Sequence, residues 1–114
     1  MVLLNDVQFV EAARLLAERA LIALADAKDA SDTALVQWLF IRLTGREADE
    51  RELSLLGELL TEQRQRFGQE MDNASKLAEA GQSARNEQLD VVEVAAVTVL
   101  AQAIFNSDAT IWQR

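Results

Sequence analysis

Glu47, Asp49, Glu50 and Glu52 stand close together, and such a run of carboxylates can supply oxygen ligands to a hard cation. The run lacks the alternating spacing and sixth-position Gly of a calcium loop, and the helix dipole favours acids in a first helical turn. It is therefore read as the start of a helix, and no metal is expected. Arg42, Arg46, Arg51, Arg64 and Arg66 could gather an anion, but six acids are interleaved with these five arginines between residues 42 and 66. A salt-bridged, solvated surface follows from that mixture.

Ser54, Ser75 and Ser107 carry candidate nucleophilic hydroxyls, yet the chain has no His and no Cys, so no imidazole base or thiolate exists to work with them. A Ser–Lys or carboxylate-pair mechanism would need groups that no motif here places together. No catalytic residue and no cofactor is expected, and the chain by itself is read as non-enzymatic. Trp38 and Trp112 are of the type enriched in binding hot spots, but Trp38 is expected at the edge of the core. Trp112 would either dock on its own domain or contact chain that is missing.

The elements that must position these residues are helical. Val10, Ala13, Ala17, Ala20, Leu21 and Leu24 recur at helical spacing from Val7 to about Leu24, with Glu11, Arg14 and Glu18 assigned to other faces. Asp6 is the expected cap of this helix, and Leu4 is placed on its first turn. A second helix should open at Ser31 or Asp32 and run to Leu43 along Leu35, Leu39 and Leu43, with Val36 and Phe40 beside them. Gly45 suits the left-handed residue that closes it, and Asp49 with Glu52 forms an acidic capping box for a third helix from Glu50 to about Phe67.

Asp72 is expected to cap a short helix containing Ala74, Leu77 and Ala78, ended by Gly81. Residues 82–89 read as a loop, after which Asp90 and Glu93 again have capping-box spacing. From Val91 to Phe105 only Glu93, Thr98 and Gln102 are polar, which predicts the most buried helix, ending at Asn106. Its five valines suggest a strand, but a mostly apolar run of fifteen residues behind a cap exceeds a typical buried strand.

The sum is an all-α, irregular or orthogonal bundle of four main helices and one short one, a single domain over residues 1–114. With 114 residues, half of them hydrophobic, the chain can build a real core. Its net charge is −8, with only two lysines, so a nucleic-acid partner is not expected. A helix-turn-helix is the weakest reading, since Glu50, Arg51 and Glu52 at the start of the third helix would repel phosphates. No apolar run reaches the ~20 residues of a membrane span, so no membrane insertion is expected. Pro is absent where average usage predicts roughly six.

Three stretches together carry a family resemblance. They are Leu3 to Arg14 (LLNDVQFVEAAR), then Leu43-Thr44-Gly45-Arg46-Glu47 with Glu52-Leu53, then Leu89-Asp90 through Ala103-Ile104-Phe105-Asn106-Ser107-Asp108-Ala109-Thr110. In order and approximate spacing this resembles the C-terminal region of the planctomycete cytochrome-c-associated (PSD-type) multidomain proteins. That region is catalogued as a domain of unknown function, often following a cytochrome-c-like segment and a second domain. The resemblance implies a tail module excised from a larger exported protein, periplasmic or extracellular, with Met1 placed at its start. Val7, Ala48 and Ala84 stand where the family pattern usually has Pro. The family's haem motif lies outside this region and cannot be carried over.

Among the matched positions, Asn5, Arg46, Glu47 and Asn106 are not readily explained by packing. The preferred reading is that they hydrogen-bond the loops together; the alternative is a polar or interaction site, with Trp112, shared with other domains of the parent chain. Two functions are thus set against each other. One is a non-catalytic module for domain packing or protein association, with a homodimer as one form. The other contributes polar residues to an active or ligand site completed elsewhere in the parent, in redox or polysaccharide-related chemistry. A free-standing acidic adaptor is the weaker third reading.

Overall fold

A computed structural model describes residues 7–27, 31–81 and 84–112, with side chains over 9–27, 31–81 and 84–106. The expected caps begin three of its five helices. The Ser31 side chain accepts the Ala34 N–H at 3.1 Å and opens α2 (Asp32–Thr44). Gly45, at φ +82°, closes α2 in the left-handed conformation, its N–H reaching the Ile41 carbonyl at 2.9 Å. Asp49 and Glu52 then form a complete capping box for α3 (Glu50–Gln69), satisfying two backbone donors that the helix itself leaves unpaired.

The remaining helices are α1 (Val7–Asp26), α4 (Met71–Ala78) and α5 (Val91–Trp112), and no strand occurs among the described residues. The chain is an all-α bundle. Its centre is α5, which packs against each of the other four helices. Val94, Ala95, Ala96, Val97, Leu100, Ala101 and Ile104 are buried there, facing Ala13, Ala17 and Ala20 of α1, Leu39 and Phe40 of α2, and Leu60 and Phe67 of α3 in one core. Thr98 is buried too, its hydroxyl donating to the Val94 carbonyl at 2.6 Å. The radius of gyration, 13.4 Å, is that of a closed domain of this length.

Several expectations are corrected. Helix α3 runs through Gly68 to Gln69 and meets α4 across the single residue Glu70, so Asp72 lies inside the first turn of α4 and is not its cap. A carboxylate there still complements the helix dipole. Helix α4 ends at Ala78, three residues before Gly81. Helix α5 passes straight through Asn106 to Trp112. The propensity cost of Asn is only a few tenths of a kcal/mol, and neither Gly nor Pro follows to stop the helix. Asp90 does cap α5, accepting the Glu93 N–H at 3.1 Å, but the Glu93 carboxylate turns to Arg64 on α3. The expected cap Asp6 and the packing of Leu4 on the first turn fall outside the described residues.

Candidate functional site

Arg46 and Glu47 sit on the exposed turn between α2 and α3, where local sequence builds a dense set of hydrogen bonds. Arg46 Nη1 and Nη2 donate to Glu52 Oε1 and Oε2 at 2.9 and 2.8 Å, a bidentate pair, while Glu52 Oε1 also accepts the Asp49 N–H at 2.9 Å. The Arg46 guanidinium additionally reaches the Glu47 carbonyl and lies 4.7 Å from the centre of the Phe40 ring. Thr44 Oγ1 donates to the Phe40 carbonyl at 2.8 Å, and from α2 the Gln37 amide takes both backbone groups of Ala48, at 2.8 and 3.0 Å. Nothing in the spacing of the chain marks Gln37 for this role. Its bonds span eleven residues and depend on how the turn folds back.

The Arg46 guanidinium, by hydrogen bond and by charge, together with the Asp49 N–H, holds the Glu52 carboxyl at about 2 against an ordinary 4.5; partial burial opposes this without overcoming it. A folded-state pKa below the unfolded one contributes stability above the unfolded value, and that contribution is lost as pH falls from about 4.5 through about 2. Glu52→Gln keeps an acceptor for the Asp49 N–H but removes the charge. At neutral pH it should cost about 0.5–1 kcal/mol, less at high salt. Thermal melts compared down the acid range should show wild type and variant converging as pH approaches 2. A constant difference would mean that the ion pair is not its source.

Asn106 is exposed on α5, whereas Asn5 and the Trp112 side chain lie outside the described residues. Trp38 is half-buried against the core, as expected, with the Arg42 guanidinium stacked 3.6 Å from its ring centre. Of the acidic run, Asp49 caps α3 and Glu52 pairs with Arg46; among the described residues no three acidic side chains converge as a metal centre would require. A surface groove along α3, lined by Asp32, Leu53, Ser54, Gly57, Glu58, Thr61 and Glu62, is open to solvent.

Two further charged clusters hold the bundle. Arg14, placed by its spacing on a polar face of α1, is instead fully buried, and Glu18 is 8% exposed. Arg14 Nη1 donates to Glu18 Oε2 at 2.9 Å and Nε to the Ala80 carbonyl at 3.0 Å, while Glu18 Oε2 accepts the Asn86 N–H at 3.1 Å. The pair thus clasps the connector between α4 and α5 to α1. Gly81, at φ +92°, lets that connector pass so close to Glu11 that a Cβ would collide with the glutamate stem.

The second cluster centres on Arg64 of α3. It donates to Glu93 Oε1 at 2.8 Å and to both Asp32 oxygens at 2.9 and 3.0 Å, tying α3 to the starts of α5 and α2. Burial tends to lower its pKa, but the bonds to Glu93 and Asp32 outweigh this and hold the guanidinium above its ordinary value.

Fold and polar clusters together define a class, a small all-α helical bundle whose charged residues largely brace its own turns and helix ends. No family model matches the chain, and no curated protein and no solved structure matches it. No helix among the described residues is long and apolar enough to cross a membrane.

Proposed function

We propose that this chain is a non-catalytic helical module that acts by packing on another protein surface, as the C-terminal part of a multidomain protein resembling the planctomycete cytochrome-c-associated family. The family part of this reading rests on the ordered motifs from Leu3 to Arg14, around Gly45-Arg46-Glu47 and from Leu89 to Thr110. The observation that carries the association part is the use of Arg46. Both terminal nitrogens of its guanidinium are taken by Glu52, so the residue best suited to a shared polar site braces the α2–α3 turn. Large apolar side chains meanwhile face outward on four helices: Ile22 of α1 is 40% exposed, Ile41 of α2 43%, Leu55 of α3 56% and Met71 of α4 50%. Such side chains add contact area without being needed by the core.

Light scattering from low to high micromolar concentration tests the association reading. The weight-average mass is expected to rise from 12.6 kDa toward a dimer, with the rise abolished by Leu55→Ser or Ile41→Ser while the thermal midpoint stays within a degree or two. A mass fixed at that of one chain throughout would overturn the homodimer form of the reading and leave packing on a different protein surface.

A further inference from the structure

Glu70 is the single residue between α3 and α4, and the chain turns from one helix to the next at its backbone, φ −125° and ψ 63°. Helical bonds flank it on both sides: its N–H donates to the Arg66 carbonyl at 3.0 Å, and its carbonyl accepts the Ala74 N–H at 3.1 Å. Its carboxylate accepts from Asn73 at 2.6 Å and lies 3.6 Å from Arg66, at the three- and four-residue spacings of neighbours along one helix. What the break leaves over is the first turn of α4. No side chain caps it, in contrast to α2, α3 and α5, so the N–H groups of Met71, Asp72 and Asn73 lack an acceptor within the helix. Returning Glu70 alone to helical angles would pair them with the carbonyls of Phe67, Gly68 and Gln69, in one continuous helix from Glu50 to Ala78.

A straight α3–α4 helix carries α4 and α5 away from their own α1, α2 and α3, so a second chain must then supply the missing half of each core. We infer that this chain forms a domain-swapped dimer, in which Glu70 turns helical and the α4–α5 half of each copy packs on the α1–α3 half of the other. The contacts it needs already exist inside one chain. Arg14 with Ala80, Asn86 with Glu18 and Arg64 with Glu93 each join a residue before Glu70 to one after it, and α5 packs on α1, α2 and α3 across the same division. The exchange keeps these bonds and adds the backbone bonds of Met71, Asp72 and Asn73, which makes it a low-cost route to a dimer. Gly68, Gln69, Glu70 and Met71 are exposed, and open space surrounds the position that a Gly68 Cβ would take, so two long helices can cross there without collision. The inference does not depend on the association reading, which uses exposed side chains and leaves the fold closed.

The test is refolding of the full chain from urea, with light scattering on the separated species. Refolding at near-millimolar concentration should yield a species of twice 12.6 kDa, which refolding at low micromolar concentration should not. Once formed it should survive dilution for hours, because leaving it means opening both cores, whereas surface association re-equilibrates on dilution and is lost in Leu55→Ser. Met71→Pro should keep the monomer and abolish the dimer. Proline is accepted at the first position of a helix, but inside a continuous one it would collide with the Phe67 carbonyl and push Glu70 away from helical angles. If that variant does not fold, Glu70→Gly decides the matter: it should cut the dimer fraction several-fold, since glycine opposes a helix interior and Glu70 lies outside one in the monomer. The chain has no Cys, so spin labels can be placed through Glu58→Cys and Lys76→Cys, both at exposed positions about five turns apart in a continuous helix. Their separation, in labelled chains refolded with excess unlabelled chain, should lengthen to about 27 Å in the dimer. A dimer that dissociates on dilution, that forms equally in the folded variant, or whose label distance matches the monomer's would overturn the proposal, as would a monomer at every concentration.

Discussion

Arg14→Ala is expected to destabilise the fold by about 3–5 kcal/mol, a large share of the ~5–15 kcal/mol that holds a domain of this size together. The substitution removes a fully buried side chain, strips the Ala80 carbonyl of its Arg14 donor and leaves the Glu18 carboxylate in a nearly dry site without its cation. The bond from the Asn86 N–H to Glu18 would persist but does not neutralise the charge. Equilibrium denaturation in urea measures the loss. Replacing both partners, as Arg14→Met with Glu18→Met, should recover a substantial part, because no uncompensated charge then remains. Full recovery is not expected, since the Ala80 carbonyl and the Asn86 N–H would both lose a protein partner. A single substitution costing less than about 1 kcal/mol would show that water reaches the clasp.

Leu100→Ala should cost about 3–4 kcal/mol. Leu100 has no exposed surface and lies on the helix that touches every other, so its removal opens a cavity that no single neighbour can fill by shifting. Leu55→Ala, the same chemical change at a side chain 56% exposed, should stay within about 0.5 kcal/mol. The contrast is read from urea midpoints at unchanged slope. Equal effects at the two positions would contradict the placement of α5 at the centre.

Much of the fold was legible beforehand because its signals act over one helical turn. Ser31, Gly45, Asp49 and Asp90 each bond within three or four residues, so the caps of α2, α3 and α5 could be read from spacing alone. The apolar run after Asp90 likewise marked the central helix. Errors arose where local preference is weak. Asn106 disfavours helix too slightly to end it, and Asp72 sits where a carboxylate suits either a cap or a first turn. The turn carrying Arg46 and Glu47 was legible as a polar cluster, but not the bidentate pair with Glu52, which joins residues six apart across the bend.

What the sequence by itself determined is the set of helices and most of their ends, since capping and amphipathic periodicity are contests between neighbours. Tertiary structure alone decided which charged residues would be buried. Arg14 reaches Ala80 across 66 residues, Asn86 meets Glu18 across 68, and Arg64 draws Asp32 and Glu93 from 32 and 29 residues away. A charged side chain on a helix is solvated by default, and only the arrival of a distant partner makes its burial tolerable.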